Sequence, residues 1–107
     1  LKTHKKDIDG AEEQFHLAIK NDPEDAWAHN SLGHLLEHHR KDIDGAEEQY
    51  RLAIKLGSVM AHWNLSDLLE KRGDLRGAID AVKGYIAAGN PDNDGEQRLA
   101  GLESKIS

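Results

Sequence analysis

The apolar positions of the chain recur at intervals of three and four residues, the spacing that places side chains on one face of an α-helix. This pattern predicts helices over residues 10–20, 23–39, 45–56, 58–71, 75–89 and 94–105. Residues that favour strands are scarce, and valine occurs only at Val59 and Val82. We therefore expect an all-α protein.

An internal repeat indicates how these helices are arranged. Residues 6–20 read KDIDGAEEQFHLAIK and residues 41–55 read KDIDGAEEQYRLAIK, at an offset of 35. A more diverged copy, residues 61–82, aligns with residues 28–50 after one residue is omitted before Asp74. Periods of this length are typical of solenoids built from helix pairs. The opening LKTHKK matches LEHHRK, so it predicts the tail of a helix in a longer array.

Capping signals mark the predicted helix ends. Three polar residues precede a glutamate by three positions, the spacing of a capping box: Asp9 with Glu12, Asp44 with Glu47, and Asn93 with Glu96. Pro23, after Asp22, suits the first position of a helix, and Ser58 and Asp74 are further predicted N-caps. Gly89, before Asn90-Pro91, is expected to end its helix in a left-handed conformation.

Small and bulky residues occupy positions that resemble the tetratricopeptide repeat family over nearly the whole chain. The residues that carry the resemblance are Gly33, Ser66, Ala11, Ala46, Ala78, Phe15, Tyr50, Val82 and Pro23. The stretch 53–70 is also similar to Sel1-like repeats, a close alternative with the same helix-pair architecture. The resemblance implies one α-solenoid domain of antiparallel helix pairs over residues 1–107. Its expected parts are a truncated first repeat (1–22), a second repeat (23–57), a third repeat (58–91) and a C-terminal capping helix (92–107).

The resemblance also implies a non-enzymatic scaffold that binds a segment of another protein in a concave groove. In this family the first helix of each pair lines the groove, and its candidate residues here are Trp27, Asn30, His34, Glu37, His38, Met60, Trp63, Asn64 and Asp67. Each tryptophan can serve either as a partner anchor or as a packing residue. The Lys–Asn pair of chaperone-binding members is absent, and the groove carboxylates favour a neutral or weakly basic partner.

A structural role is the second hypothesis. If no helix precedes residues 10–20, the apolar face around Phe15 is uncovered. Such a face invites self-association, so the array could act as a spacer or pair through its N-terminal end.

Composition narrows the classes of partner and compartment. The formal net charge is −6, with 14 Lys and Arg against 20 Asp and Glu, which disfavours nucleic acid and anionic membranes as partners. There is no cysteine, no apolar stretch long enough to span a bilayer and no signal peptide at the start of the sequence. These features favour a cytoplasmic protein.

One motif suggests chemistry. His34, Glu37 and His38 read H-x-x-E-H, the inverted zinc-protease signature. The third copy carries Asp67, Glu70 and Lys71 instead, and a short solenoid offers little room for a third ligand and a cleft. Phosphate-binding glycine loops and nucleophile elbows are also missing from the sequence. We therefore expect no enzyme and no cofactor, with metal binding at the histidines as a remote alternative.

Overall fold

The computed structural model describes residues 5–89 and 93–106, and these residues form six α-helices and no strand. The helices are α1 (Lys5–Asn21), α2 (Ala26–Leu35), α3 (Ile43–Lys55), α4 (Val59–Lys71), α5 (Leu75–Ala87) and α6 (Asp94–Ser104). A π-helical turn, Leu36–Arg40, continues α2. One compact unit contains α1–α3 and ends at Ser58, and a second begins at Val59 and contains α4–α6. Within each unit, consecutive helices pack against each other.

Contacts across the helix pairs show that the paired helices run antiparallel. In the second unit, the side chain of Trp63 meets Tyr85, whereas Ser66, one turn further along α4, bonds Ala78 nearer the start of α5. The predicted all-α fold class of antiparallel helix pairs is confirmed.

The first helix starts earlier than its sequence signals predict. Asp9 was expected to cap a helix, but α1 begins at Lys5 and Asp9 lies inside it. The Asp9 and Glu12 carboxylates instead accept hydrogen bonds from the Arg40 guanidinium, which holds them away from a capping role. Within the opening LKTHKK, residues 1–4 lie outside the described residues, and Lys5 and Lys6 belong to α1.

Two further helices begin differently from their sequence signals, and each is capped by an aspartate that was not predicted. The Asp42 carboxylate, not that of Asp44, accepts the Gly45 N–H at 3.0 Å before α3. Before α2, Asp25 accepts the Ala28 N–H at 3.1 Å, while Pro23 lies in the preceding turn. In both cases the true cap stands next to the helix, where its oxygen reaches the free N–H groups of the first turn.

The remaining start and stop signals give mixed outcomes. The Asp74 carboxylate accepts the Gly77 N–H at 2.9 Å, as predicted, and α4 begins directly after Ser58. The capping box at Asn93 is wrong, because the Asn93 side chain forms no capping bond. Gly89 has a left-handed φ of 86°, as expected of a stop, while Asn90 and Pro91 lie outside the described residues.

The extra residue of the second repeat is absorbed by the π-helical turn. In the third repeat, the Asp74 N–H reaches back five residues to the Leu69 carbonyl at 2.9 Å. In the second repeat, the Asp42 N–H reaches back six residues to the Leu36 carbonyl at 2.9 Å. Lys41 takes the left-handed conformation (φ 57°) that a glycine takes in the third repeat. A wider last turn therefore accommodates one residue more without moving the next cap.

Candidate functional site

The exposed face of α2 presents an aromatic residue and two histidines. Trp27, the second residue of α2, is 64% exposed. Its ring meets that of Phe15 edge to face, with 5.7 Å between the centroids. His34 is exposed, and its ring lies 4.3 Å from that of His38, centroid to centroid. Asn30 is half-buried between them. Spacings of three and four residues keep these four side chains on one face.

Glu37 was predicted on this same face, but the structure places it in the interior. It is 5% exposed, and its carboxylate accepts a hydrogen bond from the Tyr50 hydroxyl at 2.7 Å. The cause is Tyr50, which is fully buried and needs an acceptor for its hydroxyl. In this conformation Glu37 joins α2 to α3 and does not reach solvent.

On α4, only Met60 of the predicted residues is strongly exposed, at 52%. Trp63 is half-buried, with its ring 5.1 Å from that of Tyr85 and the Arg98 guanidinium carbon 5.0 Å from its centroid. The half-buried Asn64 lies beside it. The contacts of Trp63 correspond to the packing alternative that the sequence left open.

Arg98 of α6 is the residue that sequence reasoning missed. It donates hydrogen bonds to Ser66 Oγ at 3.0 Å and to Glu70 at 3.1 Å, and lies 3.7 Å from the Asp67 carboxylate. Asp67 also pairs with Lys71 at 3.0 Å, and Glu70 also accepts from Lys105. The α4 carboxylates that were expected to face a partner are therefore neutralised within the second unit.

Arg40 has a similar role in the first unit, where it ties the π-helical turn to α1. Its guanidinium donates to Asp9 and to Glu12, the latter at 2.8 Å. The hydrogen bond from Arg40 to Asp9 lowers the pKa of the Asp9 carboxyl below its ordinary value. The α2 face is therefore fixed at one end by the Asp25 cap and at the other by this ion pair.

The histidines do not assemble a metal centre in the described part of the chain. No group of three or more His, Cys, Asp or Glu side chains there has the geometry to hold a metal ion. The buried Glu37 carboxylate of the H-x-x-E-H motif accepts a hydrogen bond from the Tyr50 hydroxyl and lies 3.6 Å from His38 Nε2. Among the described residues, no helix combines the length and apolarity needed to cross a membrane.

Comparisons with known proteins agree with this architecture. A family model described as tetratricopeptide repeat matches residues 5–58 and 42–93. Curated protein sequences give no significant match. Among solved structures, one titled "Crystal structure of MamA" is similar, with a TM-score of 0.77, 23% identity and 95% coverage of this chain. The match spans 60% of the MamA chain, and at this identity it shows the shared fold alone.

Proposed function

We propose that this chain, which belongs to the tetratricopeptide repeat family, is a non-enzymatic module that binds a segment of a partner protein through the exposed face of α2. The observation that carries the proposal is Trp27, which exposes 64% of its surface on an otherwise polar helix face. Tryptophan is over-represented among residues that dominate binding energy at interfaces. The family membership supports a protein partner, and the exposure of Trp27 supports the α2 face as the surface that binds it.

The geometry around Trp27 suits an anchor. The edge-to-face contact with Phe15 supports the indole on one side, so little side-chain freedom remains to be lost on binding. Asn30 and the adjacent rings of His34 and His38 follow along the same face and carry groups that can hydrogen-bond a backbone. We infer a partner segment, extended or helical, with an apolar side chain that covers Trp27.

The charge of the surface favours a neutral or weakly basic segment. The α2 face has no exposed carboxylate of its own, because Glu37 is buried. The chain as a whole carries a net charge of −6, which disfavours an acidic partner at long range. In the second unit, Met60 of α4 is also an exposed apolar side chain, whereas Trp63 packs against Tyr85.

The test is a pull-down from lysate with the tagged chain and matched variants. Trp27→Ala removes the anchor, and Leu17→Ala removes an apolar side chain of α1 that is also exposed, at 43%, but lies off this face. We expect a partner with the wild type and Leu17→Ala that is lost with Trp27→Ala, while far-UV circular dichroism is the same for all three. Equal recovery with Trp27→Ala would count against the proposal.

A spectroscopic assay then localises binding. Trp27 and Trp63 are the only tryptophans, so a Trp63→Phe variant leaves Trp27 as the sole indole reporter. Binding of the recovered partner should shift its emission to shorter wavelength as the ring is covered. An unchanged emission spectrum on a saturated complex would place the partner elsewhere.

A further inference from the structure

Two histidines of the second repeat stand one helical turn apart with their rings close together. Four positions separate His34 from His38, and the ring centroids are 4.3 Å apart with 46° between the ring planes. His34 is exposed and His38 is half-buried, so solvent reaches the pair. Side chains four residues apart on a helix are neighbours, and two histidines at this spacing are the metal-binding element of helical zinc-protease motifs.

The equivalent positions of the third repeat carry a different kind of pair. There, Asp67 and Lys71 form an ion pair at 3.0 Å, so side chains at these two positions do meet. An ion pair of opposite charges needs no third group. Two neutral imidazoles instead each present a ring nitrogen with a lone pair, which is a preferred ligand of nickel, copper and zinc ions. The second repeat thus carries two potential metal ligands where the third repeat carries a salt bridge.

The separation of the two rings suits a shared ion. A metal–nitrogen bond of about 2.0–2.1 Å places the ion about 3 Å from the centre of each ring. Two rings that bind one ion at right angles then have centroids about 4–5 Å apart, and the observed 4.3 Å lies in this range. The χ2 torsion of histidine is broad, and the exposure of His34 leaves its ring room to turn a nitrogen toward His38.

A buried negative charge lies beside the pair. Glu37 Oε1 is 3.6 Å from His38 Nε2, and Glu37 is 5% exposed. The Tyr50 hydroxyl donates to the same oxygen at 2.7 Å, which fixes the carboxylate in place. A carboxylate behind a metal-binding histidine orients the ring and raises its basicity. Its charge also attracts a cation more strongly where water is excluded.

We propose that His34 and His38 together bind one divalent transition-metal ion of the nickel, copper and zinc class, with Glu37 as a positioning residue behind His38. No third His, Cys, Asp or Glu among the described residues completes the set, so water fills the other positions of the ion. The site is a two-histidine chelate and not the three-ligand centre that those residues lack. It does not depend on the α2 face as a partner surface, because the chain alone supplies both ligands.

Isothermal titration calorimetry of the untagged full chain with nickel(II) chloride tests the proposal, at a pH where imidazole is neutral. His34→Ala and His38→Ala each remove one ligand. The matched controls are His16→Ala and His39→Ala, because both are exposed histidines of the same unit that lie outside the pair. Magnesium chloride is the control salt, because Mg²⁺ prefers oxygen ligands. Circular dichroism checks that every variant keeps its helicity.

We expect one Ni²⁺ per wild-type chain, the same affinity in His16→Ala and His39→Ala, and no binding of Mg²⁺. Loss of a group behind a metal ligand typically costs about 10- to 100-fold in affinity, so loss of either ligand should cost at least about 10-fold. Glu37→Gln keeps an acceptor for Tyr50 but removes the charge. It should weaken binding by less than either histidine variant, because Glu37 is not itself a ligand.

Three results would contradict the proposal. Wild-type affinity no higher than that of His34→Ala or His38→Ala would mean that single histidines account for all the binding. A loss in His16→Ala or His39→Ala as large as that in His34→Ala would move the site to other histidines. Wild-type affinity in Glu37→Gln would remove Glu37 from its positioning role. Partner recovery is measured without added metal ions, so it stands or falls separately from these titrations.

Discussion

The helix pairs α2–α3 and α4–α5 make the same crossing with different side chains. In the first pair, the large Tyr50 ring is fully buried over Gly33, which has no side chain to obstruct it. In the second pair, the equivalent residues are the smaller Val82 and the larger Ser66, and both are also fully buried. Volume removed from one helix is thus restored on the other, as a close-packed interior requires.

The two pairs also differ in where the buried hydroxyl stands. In α2–α3 it belongs to the second helix, and Tyr50 donates to Glu37. In α4–α5 it belongs to the first helix, and Ser66 donates to the Ala78 carbonyl at 2.8 Å. Glu70, the counterpart of Glu37, is consequently not needed as an internal acceptor and pairs with Arg98 of α6. One substitution in the second helix therefore changes the role of a glutamate in the first.

Exchanging the crossing residues gives the largest expected effect. Tyr50→Val should reduce the free energy of unfolding by about 3 kcal/mol, because it opens a cavity and leaves the Glu37 carboxylate buried without the hydroxyl. Gly33→Ser should cost about 1–3 kcal/mol, because its Cβ lies too close to the Tyr50 ring. Both are measured by urea denaturation.

The double variant decides whether the two pairs are interchangeable. Gly33→Ser with Tyr50→Val recreates the combination of Ser66 with Val82, so its loss should be smaller than the sum of the single losses by about 1 kcal/mol or more. Ser66→Gly with Val82→Tyr is the reciprocal test in the second unit. Strictly additive losses would show that the two volumes are not coupled.

Loss of the hydrogen bond to the buried Glu37 carboxylate gives the next largest expected effect on stability. Tyr50→Phe keeps the ring but removes the donor to Glu37, and should reduce stability by about 1–3 kcal/mol. Adding Glu37→Leu removes the buried carboxylate that has lost its hydrogen bond from Tyr50 and should recover part of this loss. Glu70 is the counterpart of Glu37 in the second unit. Glu70→Leu in the wild type should reduce stability by less than Tyr50→Phe does, because Glu70 is only half-buried. A Tyr50→Phe variant as stable as wild type would show that the hydrogen bond from Tyr50 to Glu37 does not stabilise the fold.

The repeated sequence also shows what could be predicted and what could not. The offset of 35 between the copies and the helical spacing of the apolar residues sufficed to predict the helix pairs, because the small and bulky residues recur at equivalent positions. The string KDIDG, however, has two structures: at Lys41 it ends the π-helical turn with a φ of 57°, and at Lys6 it continues α1. Identical local sequence cannot settle this difference, which depends on the chain before it.

The candidate site had the same limit. Trp27 could be placed on an exposed face by spacing alone. The burial of Glu37 depends on Tyr50, and the cover over Trp63 depends on Arg98, which is 35 residues away along the chain. Such contacts are tertiary and leave no periodic signal. The role of the α2 residues in binding stays a prediction.

The hydroxyl of Ser66 gives a smaller test of the second pair. Ser66→Ala keeps the Cβ but removes the donor to Ala78 and the acceptor for Arg98, and should reduce stability by about 1 kcal/mol. Arg98→Lys, which keeps the charge but not the planar donor over Trp63, should cost less than this. Calorimetry measures both, and Ser31→Ala, at a half-buried serine of α2, serves as a control. A larger loss for the control would indicate that the Ser66 bonds are not the cause.

The smallest expected effect concerns the equivalent histidines His29 and His62, which have different surroundings. His29 is held at both ring nitrogens, by Gln49 at 2.7 Å and by the Pro23 carbonyl at 2.9 Å. Burial lowers the pKa of His62 below its ordinary value of about 6.5. The unfolded chain therefore binds this proton more readily, so stability is fully present above about pH 6.5 and is lost as the pH falls through the lower, folded-state pKa.

His62→Gln should reduce the loss of stability between about pH 7 and about pH 5 by at most about 0.5 kcal/mol, since solvent screens the partly exposed ring. Urea denaturation across this range measures it, and an unchanged pH dependence would remove His62 as the cause.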